Sequence, residues 1–260
     1  FQRENMPLTA EHAEGPWTDE AIYTQDKDAR AVWAKDDVSL RRDMAGGWMD
    51  AGDTDKYPTF MADVIHPLLY AYQANPRAFG DDFNIPESGN GLPDILDEVK
   101  FELEWLEKMQ DADGGVFVKL GNIDYSGTWP LENDVRPRYY GPKNSAATLW
   151  TAGEFAHAAR VYRQFPQWKS FADDLQARAL QAWAWYQTHP RDYHPDNGEI
   201  KSGLANRDAG EHDRMEGFAA IQLFALTGDD KFQAVILQRV PESRQMKEPV
   251  WSSYEAASAE

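Results

Sequence analysis

The chain has 260 residues, 42% of them hydrophobic, and no cysteine. That is enough to bury a sizeable core in one or two domains, and it rules out disulfide staples and thiolate metal sites. Acidic residues outnumber basic ones 44 to 26 for a net charge of −18, so phosphate backbones and anionic membrane surfaces are repelled and the plain role of the charge is solubility.

No run of about 18 apolar residues is present, and the opening "FQRENMPLTA" has no apolar signal-peptide core. A signal peptide ahead of Phe1 would leave no trace in this sequence. The first conspicuous stretch is "GGWMDAGDTDKY", residues 46–57, which crowds Asp50, Asp53 and Asp55 into a loop with Gly46, Gly47 and Gly52. A helix is predicted next over Thr59 to Gln73. "LPDILDEVKFELEWLEKMQ" then places Leu92, Ile95, Leu96, Val99, Leu103 and Leu106 on one helical face. Pro93 fits its first turn, Asp94, Asp97 and Glu98 complement the positive end of the dipole, and "DADGG" ends it. "GGVFVKL" is the one β-like run. "SAATLWTAGEFAHAARVYRQF" is a helix with Ser145 as N-cap and an alanine-rich interior that lets a neighbouring helix approach closely, stopped by Pro166. Another follows from about Gln167 to Thr188 on Phe171, Leu175, Ala179, Ala182 and Tyr186, and a further one from about Arg214 to Leu226. The last thirty residues or so show no clear continuation of this rhythm. The class is therefore all-α, with hairpins stacked side by side and functional residues on the loops at one end.

The aspartate loop has several readings. An EF-hand would need glycine at the sixth position and glutamate at the twelfth. Counting from Asp53 gives Pro58 and Val64, and counting from Asp50 gives Asp55 and Met61, so that reading fails. Diphosphate-binding aspartates would sit on a helix facing a basic pocket, whereas these precede the helix. Two carboxylates three residues apart in a sharp turn can instead converge on one water, one taking its proton while the other orients it, which is the work of a glycosidase base. Without further context, such a loop carboxylate is more often a local backbone acceptor than a functional group.

"GGWMDAGDTDKY" resembles the "GGWYDAGD" signature of glycoside hydrolase family 9, the cellulases and related β-glycosidases. "NIPESGNGLPDILDEVKFELEWLEKMQDADGGVFVKL", residues 84–120, is similar to that family's next block, and "NSAATLWTAGEFAHAARVY" and "FAAIQLFALTGDDKF" are similar to its later helices, so the resemblance covers about residues 1 to 232. It implies an (α/α)6 barrel, incomplete in this chain, and an inverting hydrolysis of β-1,4-glucosidic bonds in cellulose or cello-oligosaccharides. By match to the signature, Asp53 is the expected general base and Asp50 its helper. Asp55 has no role in the motif and is read as a solvated turn carboxylate whose loss should be mild.

The resemblance also says what is missing. The family's general acid is a glutamate far toward the C-terminus, and no counterpart stands before Glu260. The chain is thus expected to be a partial catalytic domain, truncated at its C-terminus and at its N-terminus, and inactive by itself. A structural zinc is rejected, because His12 is present but no cysteine is. A structural calcium is left open beside the later helix, where Asp213 stands but Arg214 occupies an acid's place; no other cofactor is implied. Val118 replaces a histidine that often contacts sugar. Trp48 is a candidate buttress of the loop, and Trp129 a candidate sugar platform with core packing as the equal alternative. His66, His157 and His189 read as packing or surface residues, because no second histidine follows at i+4. The partner expected is a β-linked glucan, with neither nucleic acid nor membrane, and the family implies a secreted or periplasmic setting. The alternatives are an exo-acting β-glucosaminidase of the same family, whose cationic sugar an acidic surface would favour, and a non-catalytic carbohydrate-binding remnant.

Overall fold

The computed structural model describes residues 3, 5–196, 198–243 and 247. Six α-helices carry it: α1 Pro58–Ala74, α2 Asp94–Met109, α3 Ser145–Tyr162, α4 Lys169–Thr188, α5 Ala209–Thr227 and α6 Asp230–Arg239. Helix α3 packs against α1, α4 and α5, while α2 lies on α1 and α6 on α5. Every residue of α3 except Arg160 is buried, whereas α4 buries one stripe that includes Ala172, Leu175, Ala179, Ala182 and Tyr186. The odd-numbered helices therefore form an inner row and the even-numbered ones an outer row, which makes the molecule a partial (α/α)6 toroid.

Small residues set the spacing of the inner row. A Cβ on Gly153 of α3 would meet the Cα and Cβ of Ala219 on α5 at 3.4 Å, so the alanine-rich interior does bring two backbones close. The starts of α1, α2, α3 and α5 have identifiable causes. Pro58 opens α1, and Asp94 and Asp97 occupy the first turn of α2 with Lys108 in its last, an arrangement that suits the helix dipole. The cap of α3 is Asn144 rather than Ser145: the Asn144 side chain accepts from Ala147 N, while Ser145 is the first helical residue and its hydroxyl accepts from Asp192 N. Helix α5 begins five residues before the sequence pattern suggests, because Asp208 caps it by accepting from Glu211 N, and Gly228 at φ +69° ends it in left-handed geometry.

The β-structure is minimal but positions the loop. β1 (Arg30–Ala31), β2 (Leu120–Gly121) and β3 (Tyr139–Tyr140) lie in the order β1-β3-β2, with β1 parallel and β2 antiparallel to β3. The run "GGVFVKL" is not one strand. Val116 bridges Gln110, Phe117 bridges Lys143, and Leu120 both enters the sheet and bridges Lys56. That last bridge, with Lys56 N to Leu120 O at 2.8 Å and Leu120 N to Lys56 O at 2.9 Å, ties the end of the aspartate loop to the sheet.

Candidate active site

The aspartate loop is fixed at its entrance by α2. Trp48 donates its backbone N–H to Glu102 Oε2 at 2.6 Å and its indole N–H to Glu98 Oε1 at 2.7 Å, so the tryptophan does buttress the loop. Gly46 and Gly47 take φ of +107° and +79°, and a Cβ on Gly47 would fall 2.6 Å from the Trp105 ring. Both positions require glycine. Gly52 does not: it lies outside the left-handed region and a Cβ there would meet nothing within 4 Å. The left-handed residue of the turn is Thr54, at φ +60°. The turn closes through Asp50 N to Asp55 O and Thr54 N to Ala51 O, both 2.9 Å.

This turn sorts its three carboxylates by exposure. Asp50 is exposed, Asp53 half-buried and Asp55 fully buried. The Asp50 carboxyl is pushed up from the ordinary carboxylate range, first by partial desolvation and then by the charge of Asp53. The structure thus presents the two expected catalytic aspartates on one turn, Asp50 at its closing end and Asp53 within it, electrostatically coupled to each other.

Asp55 corrects the sequence reading: it is not a solvated turn carboxylate. Its Oδ2 lies 2.7 Å from Lys119 Nζ, its Oδ1 accepts from Asn122 N at 2.7 Å and lies 3.9 Å from Arg138 Nη1, and all three side chains of these ion pairs are completely buried. Burial outweighs the two cations and lifts Asp55 to about 6. A second carboxylate, Asp26, bridges the same cluster, 2.7 Å from Lys56 Nζ and 2.9 Å from Arg138 Nε. The cations also seize the loop's backbone: Lys56 Nζ donates to Gly46 O and Arg138 Nη2 to Thr54 O, each at 2.7 Å. Lys119 Nζ reaches across to Lys201 O at 2.7 Å. A signal for this was available, since a lysine inside an apolar run implies a buried counter-charge.

Around the turn, Trp129 is 83% exposed, which removes the core alternative and leaves its ring open to solvent. Val118 is fully buried with Tyr57 and Ala205, so that position offers no sugar contact. Tyr125 is partly exposed, with its ring 5.2 Å from Lys119 Nζ and 5.8 Å from Lys201 Nζ. A groove of about 640 Å³ touches Asp50, but its other walls include Met49, Phe60, Val64 and Phe79, and Asp53 does not line it. Its polar lining comes from Asp50, Asp94 and Glu98, so the groove is mainly apolar with a few carboxylates.

The histidines are structural. His66 and His157 are buried with their Nδ1 atoms 2.9 Å apart, His157 Nε2 lies 2.8 Å from Gln73 Oε1, and burial holds both well below the usual histidine range. His212, unassigned from sequence, contacts Ser145 Oγ at 2.9 Å and Asp208 O at 2.8 Å. His189 stacks on Trp185 at 3.9 Å. The calcium left open at Asp213 does not fit: Arg191 and Arg239 reach Asp213 Oδ1 at 2.8 and 3.0 Å and also pair with Glu216. Two guanidiniums occupy the place of a cation. Among the described residues, the carboxylate group with metal-like spacing is Asp81, Asp94 and Asp97. Its oxygens accept from Gly89 N, Gly91 N, Phe83 N, Ser88 Oγ and Asn90 Nδ2, which closes the loop ahead of α2.

The sequence model of Glycosyl hydrolase family 9 matches residues 1–259. A cellulose 1,4-beta-cellobiosidase of Acetivibrio thermocellus is 32% identical over 91% of this chain and 30% of its own length. A xyloglucan-specific endo-beta-1,4-glucanase of Bacteroides ovatus is 30% identical over 75% of this chain and 35% of its own length. Among solved structures, a Bacteroides ovatus family 9 protein superposes with a TM-score of 0.86 at 27% identity, covering 99% of this chain and 48% of its own. AaCel9A, solved in complex with cellobiose-like isofagomine, gives 0.77 at 30% identity over 90% of this chain and 43% of its own. The chain spans about a third of the length of these two curated relatives and just under half of these solved ones.

Proposed function

The chain belongs to glycosyl hydrolase family 9, and from that premise we propose that it is part of a catalytic domain hydrolysing β-1,4-glucosidic bonds in cellulose or cello-oligosaccharides with inversion. Asp53 is the general base that takes a proton from the attacking water, and Asp50 helps to orient that water. The observation that carries this reading is the turn itself. It carries Asp50 at its closing end and Asp53 within it, and is pinned by Trp48 on one side and by Lys56 and Arg138 on the other. A base so held needs little reorganisation as the reaction proceeds. The names of the relatives, a cellobiosidase and an endoglucanase among them, support a β-glucan over a glucosamine substrate.

Inversion requires a second carboxyl roughly 6.5–9.5 Å from the base, leaving room for water beneath the anomeric carbon. We place that acid in sequence beyond these 260 residues, so the chain alone should be inactive. Trp129 offers its exposed ring to a sugar face. The setting proposed is secreted or periplasmic; among the described residues no helix is long and apolar enough to cross a membrane.

The test uses the longer protein on cello-oligosaccharides, following early products by proton NMR. The α-anomer should appear first. Asp53→Asn should lower turnover by about 10²- to 10⁴-fold with little change in binding, and Asp50→Asn should also be severe. A β-anomer released first, or an Asp53→Asn enzyme that keeps its turnover, would refute the assignment.

A further inference from the structure

Asp55 is two residues from the proposed base, yet it points away from solvent into the charge cluster. Its backbone closes the turn at both ends, through Asp50 N to Asp55 O at 2.9 Å and Asp55 N to Asp53 Oδ1 at 3.4 Å. Its side chain fastens that same residue to the two flanks of β2, through Lys119 and the Asn122 N–H. The fit leaves no slack: a Cβ on Gly121 would lie 1.9 Å from Asp55 Oδ1. Resting on the assignment of Asp53 as base, we propose that Asp55 is a positioning residue, and that the catalytic turn holds its working geometry only while the Asp55 carboxylate is charged and paired with Lys119 and Arg138.

The groups facing Asp55 come from every element around it. Lys119 and the Asn122 N–H flank β2, Arg138 precedes β3, the Tyr57 hydroxyl at the start of α1 lies 3.4 Å from Oδ2, and Asp53 is its neighbour in the loop. Asp26 and Lys56 stand one pairing further away. Burial raises Asp55 to about 6, so the ion pairs that hold the turn weaken as pH falls through that value. A raised carboxyl means that the folded state binds this proton more tightly than the unfolded chain does. Between about pH 4 and 6, protonating Asp55 therefore favours the fold while it loosens the turn. Activity and stability respond to this proton in opposite directions, which separates a positioning role from a merely structural one.

The experiment measures kcat, KM and thermal midpoint against pH for the longer protein and its Asp55→Asn, Lys119→Gln and Asp53→Asn variants. The parent should show an acid limb near 6. Asp55→Asn should lose about 10- to 100-fold in plateau kcat with KM little changed, and its acid limb should move below about pH 5. Lys119→Gln removes a cation that favours the charged carboxyl, so its limb should move to higher pH. An Asp55→Asn enzyme with the parent's kcat and limb, or a Lys119→Gln limb that stays or moves down, overturns the proposal. If Asp55→Asn does not fold, the Lys119→Gln limb decides alone. Asp53→Asn keeps the two readings apart: retained turnover there defeats the base assignment, whereas a dead Asp53→Asn enzyme beside an unaltered Asp55→Asn enzyme defeats only this inference.

Discussion

Adding one methyl group at Gly121 tests the packing beneath the loop. Gly121 lies outside the left-handed region, so alanine is permitted by its backbone, but the new Cβ would stand 1.9 Å from Asp55 Oδ1, 2.7 Å from its Cγ and 3.0 Å from its Cβ. Ordinary contact begins near 3.4 Å, so the carboxylate must retreat by 3.4 − 1.9 = 1.5 Å. A carboxylate already 2.7 Å from both Lys119 Nζ and Asn122 N cannot move that far and keep both partners. Overpacking of this kind costs about 1–3 kcal/mol, and uncoupling a buried ion pair adds up to about 3–5, so we expect Gly121→Ala to cost at least about 2 kcal/mol. With a urea slope of about 3 kcal/mol/M, the midpoint of the 260-residue chain should fall by about 0.7 M or more. Gly52→Ala is the control, because its Cβ meets nothing; it should be neutral or stabilising by about 0.4–1 kcal/mol. In an Asp55→Ala background most of the clash is gone, so Gly121→Ala should cost much less there. A Gly121→Ala chain as stable as the parent, or one equally destabilised with and without the Asp55 carboxylate, would refute the geometry.

Two further outcomes are expected. Trp129→Ala should weaken cello-oligosaccharide binding by the longer protein about 3- to 10-fold while leaving its melting temperature unchanged, since the ring is 83% exposed; unchanged affinity in a titration would remove Trp129 from the cleft. Burial depresses His66 and His157 in the folded state, His157 to about 3, so below about pH 6.5 the unfolded chain binds protons that the native state does not, and stability is lost as pH falls. His157→Gln should flatten that loss by up to about 1.4 kcal/mol per pH unit between about pH 6 and 4.5, and an unaltered slope in denaturation series would show that His157 is not the group titrating.

Five of the six helices are legible in the sequence, and for α1, α2 and α4 the reason is that apolar spacing is local information. Helix α2 repeats its buried positions every three or four residues, and α1 and α4 do the same. Helix α5 was found, but its first turn was not, since "AGEHD" carries no apolar stripe and the start depends on the Asp208 cap. Helix α6 buries only Phe232, while Leu237 is 70% exposed, so its pattern resembles a polar segment and it was missed. Residues 244–246 and 248–260, the larger part of the unassigned tail, lie outside the described residues. In the loop, the signature marked Asp50 and Asp53, but Asp55 was misread because its partners Lys119 and Arg138 come from distant sequence. The same holds for Asp213, whose surroundings are set by Arg191 and Arg239 on either side of it in the chain.

Stability is a poor explanation for the buried cluster, because replacing buried ion pairs with apolar side chains is often neutral or favourable. What apolar residues cannot do is donate hydrogen bonds. The turn leaves Gly46 O and Thr54 O pointing into the interior, and Lys56 and Arg138 satisfy them at 2.7 Å. Buried carbonyls without donors would carry a penalty of their own. The two cations buried for this purpose need counter-charges, and Asp26 pairs with both. Lys119, paired with Asp55, also feels the charge of Asp53, which favours its cationic form. An apolar core under the same turn would leave Asp53 without that cation. The charged cluster thus supplies donors for the loop's carbonyls through Lys56 and Arg138 and, through Lys119, a cation whose field reaches Asp53.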